Sequence, residues 1–332
     1  MKWNHPKYTI LGGISFVLLT GLLVYSNCGT KGGSGGGGFL SNDPFISTWQ
    51  TTTNNEEIKL PLREGYEYNM IVNWGDGTTS KITAWDDEDK THAYADAGIY
   101  TVTMKGIAEA WYFNACDIDP DTHSEMKILT VEDLGDMGWK NLEKAFCGCV
   151  NLTTFKGGNT SNVTNMSGMF WSAIALEADI DDWDTSRGKS MEHMFDGARV
   201  ENIDLREWDT SSVTNMERMF LAVDGAPVLG DWNTSKVTSM KQMFYLSSIN
   251  PDMSGWNFAS IADMSQMLVG TSITARNYTD LLVRIHQTRT TSNVTLGSTA
   301  NYYDSAADER TALVNTYGWT ITDNGSAGPD PG

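Results

Sequence analysis

Trp208-Asp-Thr-Ser-Ser-Val-Thr-Asn-Met-Glu-Arg-Met-Phe220 is the stretch that decides the fold, because its last five residues recur down the second half of the chain. The unit Met-x-x-Met-Phe occurs at Met166/Met169/Phe170, Met191/Met194/Phe195, Met216/Met219/Phe220 and Met240/Met243/Phe244. It fades at Met264/Met267/Leu268, and the first Met positions lie 25, 25, 24 and 24 residues apart. Each block carries a tryptophan (Trp183, Trp208, Trp232, Trp256), usually followed by Asp/Asn-Thr-Ser. Self-similarity at a fixed period of roughly 20–50 residues marks a stacked repeat architecture, in which no unit can bury its apolar face alone. The expected fold for residues 136–275 is therefore an α/β solenoid of 24–25-residue, leucine-rich-repeat-like coils.

Residue types suggest how one coil is built. On a helix, Val213, Met216, Met219 and Phe220 share an apolar arc of roughly 120°. Thr210 and Ser211 stand where an N-cap hydroxyl would accept from the first-turn amides. Ile203 and Leu205 alternate with Asp204 and Arg206, as in a half-buried strand. The expected coil is a short helix, a turn, a short strand and a Trp-bearing turn. Packed into the core, each Met or Phe contributes about 1.5–3 kcal/mol. A cofactor box or an aromatic sugar platform is the functional alternative for the Met and Trp ladders, and core packing is the preferred reading. One period earlier, Leu142, Ala145 and Phe146 match the pattern, with Gly158 in the Trp position. Beyond Leu268, Tyr278, Leu281, Leu282 and Ile285 space as a helix, as do Ala306, Ala307, Leu313, Val314 and Tyr317. Gly318-Trp-Thr-Ile reads as a last strand of a cap over residues 276–322, followed by a flexible tail at 323–332.

The Trp208–Phe220 phrase resembles the repeat of the BspA-like leucine-rich-repeat surface proteins of bacteria, over roughly residues 125–322. The resemblance implies a cell-surface or secreted protein, lipid-anchored in many members, whose repeats serve adhesion or host and matrix contact.

A second unit precedes the array. Tyr68-Asn-Met-Ile-Val-Asn runs as an alternating strand into Trp74-Gly-Asp-Gly-Thr, and Tyr100, Val102 and Met104 alternate with Thr101 and Thr103. With Trp49-Gln-Thr-Thr-Thr and Ile58-Lys-Leu these make a small β-sandwich. The Trp-Gly-Asp-Gly-Thr and His92-Ala-Tyr-Ala-Asp-Ala-Gly-Ile-Tyr pair resembles PKD-type immunoglobulin-like modules, placing one at 43–106 with a connector at 107–135. The resemblance makes Asp76 a structural turn residue; a catalytic Asp76–His92 pair is the sharper and less favoured reading.

At the N-terminus, Lys2 and Lys7 precede an apolar stretch, Ile10–Val24, of secretory length. Cys28 closes it, ahead of a glycine-rich tether at 29–42. A cysteine in this place resembles a bacterial lipoprotein processing site, so residues 1–28 are either a signal peptide leaving a lipidated Cys28 or an uncleaved membrane anchor. Both put the folded part outside the cytoplasmic membrane.

A net charge of −19 opposes nucleic-acid binding, which needs basic surface. The four cysteines, Cys28, Cys116, Cys147 and Cys149, offer no zinc spacing. They read as small buried side chains, with one bridge from Cys116 to Cys147 or Cys149 left open. Asp117-Ile-Asp119-Pro-Asp121 starts like a calcium loop, but the glycine and closing glutamate are missing. With Asp86–Asp89 it leaves only weak calcium binding open, and no cofactor is expected. No phosphate loop, dinucleotide fingerprint or nucleophile elbow is present. The expected function is non-enzymatic: binding of an extracellular protein or glycan, with a self-associating envelope or matrix component as the alternative. Trp171, Leu221 and Tyr245, which vary at one position just after each Met-x-x-Met-Phe unit, are the candidate contacts.

Overall fold

Every second amide of the Met-Phe segment points out of its own repeat, and this sets the architecture. The computed structural model describes residues 43–113 and 123–332, all within one compact unit. In the third repeat, the amides of Met216, Arg218, Phe220 and Ala222 donate to the carbonyls of Ser239, Lys241, Met243 and Tyr245 at 2.8–3.0 Å. The amides of Met219 and Leu221 instead close local turns onto Met216 and Arg218. The same alternation runs from Leu142 to Leu246. A helix needs consecutive amides to bond four residues back, so none forms here.

The backbone reaches this state through two left-handed residues per repeat. One column is Lys144, Gly168, His193, Arg218, Gln242 and Gln266, with φ of 53–61°. The other, four residues on, is Gly148, Ser172, Gly197, Ala222, Leu246 and Gly270, with φ of 49–74°. The expected α/β solenoid is thereby corrected. The described repeats contain turns and strands of two to five residues, no sheet closes into a solenoid, and both α-helices lie after the last repeat.

The strands gather in several sheets. They are β1 (Phe45–Thr51), β2 (Glu56–Lys59), β3 (Tyr68–Asn73), β4 (Thr79–Ile82), β5 (Thr91–Tyr94), β6 (Gly98–Ala108) and β7 (Ile128–Asp133). β8 (Thr154–Lys156), β9 (Glu177–Asp179), β10 (Asp204–Leu205) and β11 (Val228–Leu229) belong to the repeats, and β12 (Met264–Leu268) to the last of them. α1 (Ala275–Thr288), β13 (Thr295–Ser298), α2 (Ala307–Asn315) and β14 (Thr320–Thr322) follow. The main sheet has the order β4-β3-β6-β1-β7-β8-β9. β1 pairs antiparallel with both β6 and β7, and β7, β8 and β9 continue in parallel. The expected free-standing immunoglobulin-like sandwich is corrected too: its strands share this sheet with the first repeats, and one apolar cluster runs from Phe45 to Trp319. Residues after Asp323, read as a tail, are held by Asn324 and Ala327 amides on the Ala300 and Tyr302 carbonyls and by an Arg276–Asp330 ion pair.

Packing follows the hydrogen-bond register. Met166, Met169, Phe170, Met191, Met194, Phe195, Met216, Met219, Phe220, Met240, Met243 and Phe244 are all fully buried. Phe220 lies between Phe195 at 5.6 Å and Phe244 at 5.7 Å, ring planes within 4° of parallel. Trp183, Trp208, Trp232 and Trp256 are at most 3% exposed, too enclosed to serve as a sugar platform. Trp208, Trp232 and Trp256 donate to the Ile180, Leu205 and Gly230 carbonyls of the preceding repeat. The Asp/Asn-Thr-Ser that follows them is not a helix cap. The Asp209 carboxylate accepts from the Ser211 amide (2.8 Å), while the buried Thr210 hydroxyl donates to the Asn233 carbonyl of the next repeat (3.2 Å).

Two predictions test this arrangement. Phe220→Ala removes a fully enclosed ring and should destabilise the protein by about 3–5 kcal/mol; a thermal melt like that of the wild type would refute the buried column. Ala222→Gly should raise stability by about 1 kcal/mol, since glycine meets φ of 49° without strain. Gly197→Ala should lower it by a similar amount although a methyl there would meet only Ser172 Oγ at 3.8 Å. Urea melts showing both substitutions neutral would remove the strain argument.

Candidate functional site

Because each left-handed pair turns the chain at the same point, residues five after the first Met of a repeat form one column. It contains Trp171, Asp196, Leu221, Tyr245 and Val269, whose carbonyls each receive an amide from the repeat before. Trp171, Leu221 and Tyr245 are half-buried. Leu221 and Tyr245 sit on adjacent repeats, whereas Asp196 separates Leu221 from Trp171. The Trp171 ring stacks on His193 of the next repeat at 4.7 Å, so one of its faces is already used. Nδ1 of His193 lies 2.6 Å from Asp196 Oδ2.

Several residues of this face escaped sequence reasoning. Leu246 is 57% exposed, lifted outward by its own left-handed backbone. Beside it, Arg218 Nε donates to Gln242 Oε1 (2.7 Å) and Gln242 Nε2 to Gln266 Oε1 (2.9 Å), a chain of side chains running along three repeats. Lys241 pairs with Glu217 at 3.2 Å. A helical projection hides these columns; comparing equivalent positions of successive repeats would have exposed them. The face offers apolar contact at Leu221, Tyr245, Leu246 and Val269, flanked by charged and amide groups that can hydrogen-bond.

Other candidates are placed differently. Oδ1 of Asp76 accepts from the amide (2.9 Å) and hydroxyl (2.6 Å) of Thr78, and Oδ2 meets His92 Nε2 at 2.7 Å. His92 stacks on the buried Trp74 at 4.7 Å. This geometry fastens a β-turn to the neighbouring strand. Asp87 caps its own loop by accepting from the Thr83 and Asp89 amides. Asp117, Asp119, Asp121, Cys116 and Cys28 lie outside the described residues. Cys147 and Cys149 are both buried; Cys147 is disulfide-bonded, a bridge the sequence left open, and Cys149 is a free thiol. Among the described residues no group of three or more His, Cys, Asp or Glu side chains is arranged to hold a metal ion. A cleft of about 420 Å³ lies between Asp43, Asp133, Gly135, Asp136, Gly158 and Asn159. Among the described residues no helix is long and apolar enough to cross a membrane.

The carboxylates fastening the N-terminal strands make stability acid-sensitive. Partial burial raises Asp76, but Thr78 and His92 outweigh it and hold the carboxyl down at about 2. Burial likewise raises Glu56, and the Thr52 amide, Lys127 and the Thr53 amide bring it to about 2. Both folded values lie below the unfolded range near 4. Their stabilisation is therefore complete above about pH 4 and lost as pH falls through about 2. Asp76→Asn and Glu56→Gln should each flatten the fall in melting temperature between about pH 4 and 2; unchanged slopes would contradict this.

In comparisons with known proteins, a family model described as "Mycoplasma protein of unknown function, DUF285" matches residues 140–226 and 226–284. The matched stretch coincides with the Met-Phe repeats and runs into α1. No curated protein and no solved structure matches the chain.

Proposed function

We propose that the chain is a surface-anchored, non-enzymatic binding protein whose Met-Phe turns present a recognition face to an extracellular protein or glycan. The observation that carries this reading is the column Trp171, Asp196, Leu221, Tyr245, Val269: different side chains, in register, on a backbone fixed by repeated hydrogen bonds. Variable contacts on a fixed frame are how repeat proteins build binding surfaces. The exposed Leu246 adds apolar area to the same face. The likeness of the repeat phrase to BspA-like surface proteins points the same way, as does a charge of −19 that disfavours nucleic acid. Membrane attachment belongs in this reading to a lipidated Cys28 or to the Ile10–Val24 segment, and places the folded part at the cell surface.

A second reading, a self-associating envelope or matrix component, is favoured by Ile174 and Leu246, 55% and 57% exposed beside the turns. Light scattering separates the two: self-association gives oligomers that grow with concentration, and a strict monomer at high concentration removes it.

For the binding reading, the purified protein is presented to matrix proteins, cells and glycan panels. Against whichever ligand is captured, Tyr245→Ala with Leu246→Ala should weaken affinity by roughly tenfold or more, the effect of losing about 1.4 kcal/mol at a hot spot. Its melting temperature should stay near wild type. Capture of nothing across all three panels, or full affinity in the variant, would count against this face.

A further inference from the structure

The seven-stranded sheet gives one face to the core and leaves the other open. Trp49 of β1, Val72 of β3 and Val102 of β6 are fully buried, and the residues alternating with them point the opposite way. At the centre of the order β4-β3-β6-β1-β7-β8-β9, β1 turns the half-buried Ile46, Thr48 and Gln50 to this outer face. On one side of β1, Lys81, Ile71 and Lys105 form a single exposed row across β4, β3 and β6. Ile99, 64% exposed, stands opposite Gln50 on β6. On the other side, the exposed Glu132 of β7 pairs with Lys156 of β8 at 3.5 Å, and Lys156 stands opposite the exposed Asp179 of β9. Glu177 of β9 meets Arg199 at 3.6 Å, and the half-buried Leu129 lies at the irregularity where β7 passes Thr48 and Trp49. One wing of the face is thus basic and the other net acidic. Among the described residues Lys81 and Lys105 form no ion pair.

We propose that this outer face docks a second copy of the chain about a two-fold axis running along β1. Such an axis lays β4 on the partner's β9 and β6 on the partner's β7, with the strands aligned as face-to-face sheets require. Lys81 then faces the partner's Asp179, Lys105 faces the partner's Glu132, and Ile99 faces the partner's Leu129. Each contact occurs twice, and Ile46, Thr48 and Gln50 meet their own copies on the axis. Strands spaced about 4.8 Å apart, at about 3.3 Å per residue, give the face roughly 600 Å². Two such faces bury about 1,200 Å², the lower end of the range for a stable interface. Both β1 strands run the same way in this dimer, so both chains enter their sheets from the same side. Two chains held in one membrane can adopt that arrangement, and this point alone rests on the attachment proposed above.

Sedimentation equilibrium of the full-length protein in mild detergent reads the mass. The wild type should reach twice the monomer mass and stop there. Lys81→Glu with Lys105→Glu should raise the dimer dissociation constant by roughly tenfold or more, because it sets like charges against each other. Adding Glu132→Lys with Asp179→Lys should restore the dimer. A short bismaleimide then locates the axis. Gln50→Cys, on the axis, should give covalent dimers. Thr79→Cys on the edge strand β4, about 29 Å from its mate at six strand spacings, should give no more than the wild type. A monomer at every concentration, a mass that grows past two, or a dimer indifferent to the lysine reversal overturns the proposal, as does equal cross-linking at 50 and 79. Failure of the charge swap to restore the dimer overturns the pairing of Lys81 and Lys105. Should the lysine variant fail to fold, the cross-linking comparison still decides.

Discussion

The hydrogen bonds that pass from one repeat to the next are the constraint on which the rest depends. Four amides per repeat leave their own segment, as at Met216, Arg218, Phe220 and Ala222. They fix the spacing of the Phe and Trp rings, which then pack nearly parallel in successive repeats. They are accompanied in every repeat by the two left-handed residues, four apart, as at Arg218 and Ala222. An isolated repeat would leave these amides to water and its Met and Phe side chains exposed, so each repeat is ordered by its neighbours.

Much of this was legible in the sequence, and the errors have a physical origin. The 24–25-residue period and inward Met, Phe and Trp positions follow from residue type alone. The helix did not, because Met216, Met219 and Phe220 face inward both on a helical arc and in alternating turns. Glycines at 148, 168, 197 and 270 were the local signal for the turns, weakened by Arg218, Gln242 and Leu246 in the same columns. The strands near Tyr68 and Tyr100 were readable from alternation, but the double pairing of β1 with β6 and β7 joins segments far apart in sequence. At the candidate face, Trp171, Leu221 and Tyr245 could be picked as variable positions. Leu246 and the Arg218–Gln242–Gln266 chain could not, since their placement depends on backbone hand.

The Asp/Asn-Thr-Ser phrase shows how short polar residues can serve a stack without acting as helix caps. The first residue closes a turn with its side chain, and the threonine reaches across to the next repeat's backbone. The first bond is local and the second joins neighbouring repeats, and both are repeated from Asn159 to Asn257.

All the inter-repeat amides of the Met-Phe turns donate toward the C-terminal neighbour, so the array has a direction as well as a period. Its first repeat turns carbonyls back to the Trp111 and Phe113 amides, and its last passes into the parallel strands β12, β13 and β14. A duplicated repeat can enter anywhere along such a row, provided it enters head to tail. An inverted one would set carbonyl against carbonyl. Gene duplication can therefore lengthen the column of Trp171, Asp196, Leu221, Tyr245 and Val269 one position at a time, while the two ends, which are not interchangeable, must each keep a terminus of its own.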